Sequence, residues 1–177
     1  MSLRIALLGL LAASGPASGY DLAKRFENSI NHVWHAGHSQ IYPELVKMTA
    51  DGLITVEAEG PRGRKIYAIT PQGRTELHSW LLEYDREGPV RNEWALQAFL
   101  VSALPPAEAI QVIERIRGAF ERRLNDLRSR YEHKLEYGDP DGFGKYALDM
   151  GLRQTQTMIA WADATIADLR ARLTRGD

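Results

Sequence analysis

Apolar and polar positions divide the chain into short helical blocks, one alternating stretch and two long helical stretches. The first block is Ile5 to Ala13, preceded by Arg4 and stopped by Ser14-Gly15-Pro16-Ala17-Ser18-Gly19. Two readings fit it: a buried first helix broken at Gly15-Pro16, and a short signal peptide with small residues at its cleavage point. Because another amphipathic helix starts directly afterwards, the buried helix is the expectation. No other run approaches the ~18 apolar residues that a membrane span needs. Ser18 is the expected N-cap of a second helix reaching about Ile30, with Tyr20, Leu22, Ala23, Phe26 and Ile30 at helical spacing and Asp21 in its first turn. A polar stretch, Asn31 to His38, leads to a third helix, expected to be capped by Ser39 and stopped by Gly52. Ile41, Leu45 and Met48 mark its buried face, and Pro43 is expected within the first turn, where its missing N–H does little harm.

After Leu53 the period changes from helical to alternating. Ile54, Val56 and Ala58 alternate with Thr55, Glu57 and Glu59, then Gly60-Pro61-Arg62-Gly63 precedes the run Arg64 to Thr70. This predicts two antiparallel strands joined by a Gly/Pro turn. Pro71 opens a fourth helix to about Tyr84, with Leu77, Trp80 and Leu81 apolar. Three helices, a hairpin and a helix make the layout of a winged helix-turn-helix over residues 1–84. Asp85 to Val90 reads as a linker. The rest, 91–177, is helical: Arg91 to Ala103, a long helix from Pro105-Pro106 to about Tyr137, a loop from Gly138 to Gly144, and a last helix from about Lys145 to Leu173. In the long helix Ile113, Ile116, Phe120, Leu124, Leu127, Tyr131 and Leu135 follow steps of 3, 4, 4, 3, 4, 4, an 11-residue repeat that predicts a nearly straight helix with one apolar stripe. Met158, Ala162, Ile166, Leu169 and Leu173 share one side of the last helix. Two such helices with little to cover them call for a partner chain, and a symmetric homodimer is the economical one.

Composition narrows the class without choosing it. Hydrophobic residues make up 44% and charged residues 25%, a globular balance. The absence of cysteine excludes disulfides, thiolate metal sites and a cysteine nucleophile, and agrees with a cytoplasmic location. The net charge is −1, and the first 83 residues balance 8 Lys and Arg against 8 Asp and Glu. A nucleic-acid binder usually carries a strong positive field. Affinity for DNA must therefore come from a local cluster. The turn Gly60-Pro61-Arg62-Gly63-Arg64-Lys65 is one, with three cations and no acid; its glycines let backbone approach a phosphate, and its arginines suit phosphate or a narrow minor groove. A merely solubilising turn would show the same cluster. On the third helix Gln40, Glu44 and Lys47 lie opposite the buried face, with Ser39 and Tyr42 near its start. Gln pairs with adenine and Lys with guanine or phosphate, whereas Glu44 would repel phosphate or accept from cytosine.

The strings Leu8-Gly9-Leu10-Leu11, Ser18-Gly19-Tyr20-Asp21-Leu22, Ser39-Gln40-Ile41-Tyr42-Pro43-Glu44-Leu45, Asp51-Gly52-Leu53-Ile54 and Tyr67-Ala68-Ile69-Thr70-Pro71-Gln72-Gly73-Arg74 occur in order. Together they resemble the PadR family of transcription regulators over about residues 3–84. Arg91-Asn92-Glu93-Trp94-Ala95-Leu96 and the two long helices resemble the C-terminal helical domain of its longer subgroup. The resemblance implies a homodimer whose C-terminal helices form the interface, often with help from the first helix. It also implies repression of a nearby gene, relieved when a small, frequently aromatic, effector binds. Carried onto this sequence, Ser39, Gln40, Tyr42 and Lys47 would face the major groove of double-stranded DNA. Tyr20 would lie near the backbone, and Arg62, Gly63, Arg64 and Lys65 would form the wing tip. Tyr42 has a second reading, packing against the preceding helix. The operator would be a pseudo-palindrome.

Two further constellations compete for a role. His32, His35 and His38 form an H-x2-H-x2-H run, either polar loop residues or a metal site, though no nearby acid completes a ligand set. Trp94 and Trp161 are the candidates for an aromatic effector's pocket, against ordinary packing. No nucleophile elbow, phosphate-cradling loop or acid/base pair selects an enzymatic reaction, and no cofactor is expected. The rival functions are a winged helix that binds protein instead of DNA, and a metal-dependent sensor built on the three histidines.

Overall fold

The computed structural model describes residues 2–30, 36–83, 92–136 and 142–175. These divide into two compact units, Met1–Glu87 and Gly88–Asp177. The first contains α1 (Ser2–Ser14), β1 (Ala17–Ser18), α2 (Gly19–Ser29), α3 (His38–Ala50), β2 (Ile54–Gly60), β3 (Arg64–Ile69) and α4 (Pro71–Glu83). The second contains α5 (Glu93–Leu100), α6 (Pro106–Glu136) and α7 (Lys145–Arg175). The expected linker, 85–90, and most of the loop after α6 lie outside the described residues.

In the first unit, the apolar block at the start of the chain is a core helix. Ile5, Leu7, Leu8, Leu10 and Leu11 of α1 are buried with Leu22 and Phe26 of α2, Ile41, Leu45 and Met48 of α3, and Leu53 and Ile54. Removing one such leucine to alanine costs about 2–5 kcal/mol in comparable cores, so this cluster fixes where α3 can sit. Gly15, at φ +73, and Pro16 end α1. They turn the chain into a short strand that the sequence pattern does not reveal. Ala17 and Ser18 pair antiparallel with Tyr67 and Ile66, making a three-stranded sheet in the order β1-β3-β2. Two residues are too few to show a period.

The hairpin forms as expected, but its alternation fails partway. Val56 pairs with Tyr67 and Ala58 with Ile66, so Glu57 is the extra residue of a bulge. Ala58 is consequently exposed instead of continuing the inward face. A short 3-10 turn, Pro61–Gly63, joins the strands, with Gly63 at φ +73. Only glycine takes that left-handed conformation without cost.

The start of α3 also differs from expectation. Gly37, not Ser39, is its N-cap, and the Gln40 side-chain oxygen accepts from the Gly37 N–H at 3.2 Å. The helix therefore begins one residue before Ser39, and Pro43 falls in the second turn. There it removes the N–H that would have reached the Ser39 carbonyl, at an exposed position where water can replace it. The other end matches: Gly52 has φ +74, its N–H donates to Thr49 O and that of Leu53 to Met48 O, the paired bonds of a glycine-terminated helix.

The second unit is built on α6 and α7. Ala109, Ile110, Ile113 and Ile116 of α6 meet Ala162, Ile166 and Leu169 of α7, with Phe120 and Trp161 partly buried against them. Leu124 and Leu127 continue the α6 stripe in buried positions, and Tyr131 is exposed. Leu173, expected on the apolar side of α7, is also exposed. Ion pairs Arg117–Asp163 (2.5 Å) and Arg170–Glu114 (3.1 Å) flank the seam. Among the described residues, no helix is long and apolar enough to cross a membrane.

Candidate nucleic-acid interface

The exposed side of α3 carries Ser39, Gln40, Tyr42, Pro43, Val46, Lys47 and Ala50, while Ile41, Leu45 and Met48 anchor the opposite side. Ser39, Tyr42 and Lys47 are thus presented outward, as the sequence pattern requires. Gln40 is also exposed, but its amide oxygen is engaged in capping, which leaves the NH2 group as its outward handle.

Tyr42 satisfies both of its readings. A Cβ on Gly19 would lie 2.7 Å from Tyr42 Cε1, so the ring rests on the start of α2, yet it remains 45% exposed. Its phenol lies near that of Tyr67, whose ionisation is pushed above the ordinary value first by burial and then by Tyr42. Tyr20, in the first turn of α2, projects outward and is exposed.

The start of α2 is held by Ser18. Its Oγ accepts from the Asp21 N–H at 3.2 Å and donates to Asp21 Oδ2 at 2.7 Å. Asp21 Oδ2 also accepts from Arg64 at 2.6 Å. These bonds, Ser18's first and Arg64's second, hold the Asp21 carboxyl below its ordinary range. The wing is thereby tied to α2, and Arg64 is a partly committed cation rather than the free clamp expected of it. Gly63 and Lys65 are exposed at the tip; the Arg62 side chain lies outside the described residues.

Glu44 is neutralised in a way that no local spacing reveals. Arg4 of α1 donates from Nε to Glu44 at 3.0 Å and reaches Asp51 from its other end at 2.7 Å. The Glu44 hydrogen bond is the largest influence raising the Arg4 guanidinium above its ordinary value, offset in part by burial. Arg4 and Glu44 are 40 residues apart, so only the packing of α1 on α3 brings them together. A cation opening an otherwise apolar helix is the sole hint in the sequence.

The remaining candidates separate. His38 is the first residue of α3, with its ring centroid 6.3 Å from that of Tyr42; His32 and His35 lie outside the described residues. Among the described residues, no group of three His, Asp or Glu side chains is placed to hold a metal. Trp94, half exposed on α5, stacks obliquely on Phe120 at 5.6 Å, and Trp161 packs against the α6–α7 core.

A small sheet flanked by three N-terminal helices and a fourth, with α3 exposing one face beside a cationic hairpin, is the winged helix arrangement of a transcription regulator. Residues 7–79 match the transcriptional regulator PadR-like family, and residues 90–170 match the virulence activator alpha C-terminal family. The chain belongs to the PadR family. It is 34% identical over 176 residues to the negative transcriptional regulator PadR of Bacillus subtilis, covering 93% of this chain and 96% of that protein. The crystal structure of that PadR in complex with operator DNA superposes with a TM-score of 0.80 at 34% identity, covering 96% of this chain and 99% of the other. Its complex with p-coumaric acid gives 0.82 at 33% identity, covering 95% of each. The Vibrio cholerae virulence activator AphA gives 0.73 at 27% identity, covering 96% of this chain and 98% of the other.

Proposed function

We propose that this chain is a cytoplasmic repressor that binds a pseudo-palindromic DNA operator as a homodimer and leaves it when a small aromatic effector binds. It acts by binding and catalyses no reaction. The observation that carries the reading is the exposed face of α3, held on a buried core beside a hairpin whose tip exposes Gly63 and Lys65. Residues 1–84 contact DNA, through Tyr20, Ser39, Gln40, Tyr42 and Lys47 and through the wing. Residues 91–177 supply the dimer contacts and the effector response. Phe99 and Tyr146, 79% and 80% exposed on α5 and α7, are large apolar surfaces suited to a second copy. Trp94 and Trp161 are the effector-facing aromatics in this reading; the p-coumaric acid complex of the Bacillus relative supports an aromatic effector.

The test is binding of the full chain to the DNA upstream of its own gene, at two salt concentrations and against excess unrelated DNA. Tight, salt-weakened binding by a sedimenting dimer is expected. Replacing Arg62 and Lys65 together by alanine should lower the slope of log affinity against log salt by roughly 4, about one for each phosphate no longer neutralised by the two wings of the dimer. An unchanged slope would place the wing away from DNA. Equal, weak binding to every fragment would sink the reading.

Gly19→Ala probes Tyr42 more gently. The new methyl must displace the ring that rests there. Because the ring end is free to swing, stability should change little, while operator affinity falls roughly threefold as Tyr42 loses its fixed position. Affinity unchanged in the folded variant would remove Tyr42 from the interface.

A further inference from the structure

Val46 does not fit the economy of a soluble helix. It is 66% exposed in the middle of α3, although the core under the same helix is apolar and fully buried. A β-branched residue is no better a helix former than many polar ones, so helix formation does not explain it. Its neighbours show the same bias: Pro43, three positions before, and Ala50, four after, are exposed and cannot hydrogen-bond through their side chains. Ser39, Tyr42 and Val46 follow steps of 3 and 4, which puts them on one stripe of the helix. That stripe spans about 10 Å at 1.5 Å per residue, the rise of about three base pairs. Lys47 stands beside it, and the wing cations belong to the same unit.

In a major groove, the floor of base edges is a pattern of donors and acceptors with one apolar element, the C5-methyl group of thymine. We infer that Val46 is a specificity-determining residue that reads a thymine methyl in each operator half-site. This rests on α3 being the recognition helix. Placed over cytosine or adenine, the isopropyl group would leave a base amino group without a partner, so the same contact that favours thymine also disfavours those bases. Ser39 and Gln40 are left to supply the polar readout nearer the helix start.

The experiment starts from the fragment protected by the full-length protein upstream of its own gene. Each thymine in it is replaced in turn by deoxyuridine, which deletes only the methyl group, and affinities are measured for the wild type and Val46→Ala. One methyl removed from a contact corresponds to about fourfold in affinity. The wild type should lose about fourfold at one thymine of each half-site, and more when both symmetry mates are changed. Val46→Ala should bind the thymine and deoxyuridine versions of that site equally. Its exposed position and alanine's helix propensity favour a folded variant, which circular dichroism would check. Wild-type affinity indifferent to every deoxyuridine overturns the inference while leaving the operator reading intact, and so does a penalty that persists unchanged in Val46→Ala. Absence of binding to any fragment would instead overturn the DNA-binding reading, and this inference with it.

Discussion

Gly73→Ala is expected to unfold much of the N-terminal unit at temperatures where the wild type is intact. The site has no room for a methyl group: its Cβ would collide with the Leu53 carbonyl oxygen and lie 3.0 Å from Leu8 Cδ2 and 3.1 Å from Ile69 Cγ1. The first of these is backbone, and it cannot swing aside. Leu53 O accepts from the Thr70 N–H at 3.0 Å, and Thr70 Oγ1 accepts from the Gly73 N–H at 3.0 Å while donating to Gly52 O at 2.7 Å. Moving either partner therefore breaks the cap of α4, its junction with β3, or the turn after α3. Overpacking against side chains costs about 1–3 kcal/mol, and a backbone clash belongs at or beyond the top of that range. For a unit of this size, about 3 kcal/mol lowers the melting temperature by roughly 12–24 °C. Gly118→Ala is the contrasting control. Inside α6 the added methyl meets only the end of Arg122 at 3.5 Å, and exchanging glycine for alanine in a helix stabilises by about 1 kcal/mol. Similar melting of Gly73→Ala and wild type by circular dichroism would show that α4 can shift without loss.

That clash also marks the limit of what the chain can disclose by pattern. Helix spacing reveals α2, α3, α6 and α7, which bury stripes with a regular period, a continuous apolar run reveals α1, and alternation reveals the hairpin. Gly52 and Pro71 punctuate the correct places because left-handed turns and helix starts have strong residue preferences. The start of α3 falls earlier than the Ser39 cap expected from sequence because Gly37 takes the cap position, with Gln40 folded back onto its N–H. The bulge at Glu57 and the strand Ala17–Ser18 exist only through pairing with β3, which local periodicity does not encode. For the site, spacing alone places Gln40, Glu44 and Lys47 opposite the buried face, with Ser39 and Tyr42 near the helix start. It cannot show the commitment of Arg64 to Asp21 or of Arg4 to Glu44, since those partners are 43 and 40 residues apart. Local motifs indicate which residues could meet DNA. The electrostatic state in which they meet it is a property of packing.

Arg4→Gln is expected to weaken operator binding more than it weakens the fold, although Arg4 lies on α1 and presents nothing to the proposed DNA face. On α3 and its cap the formal charges are Glu44 and Asp51 against Lys47, a negative balance for a helix that must enter a phosphate-lined groove. Arg4 offsets it by engaging both acids, at 3.0 Å and 2.7 Å. Its loss would return Glu44 to the exposed face. A carboxylate about 6 Å from a phosphate is repelled by roughly 1–3 kcal/mol for effective dielectric constants of about 20–60, or about five- to a hundredfold in affinity for each half-site. Stability should fall by about 1 kcal/mol per pair at most, because neither acid is deeply buried. The decisive measurement is rescue. Arg4→Gln combined with Glu44→Gln restores charge balance without restoring the ion pair, so it should recover most of the operator affinity while regaining little stability. Raising salt should narrow the gap between Arg4→Gln and wild type, since screening weakens exposed repulsions. A folded Arg4→Gln variant with wild-type affinity would show that Glu44 stays away from the phosphates. Weak binding that Glu44→Gln fails to rescue would mean that Arg4 holds the position of α3 and not its charge.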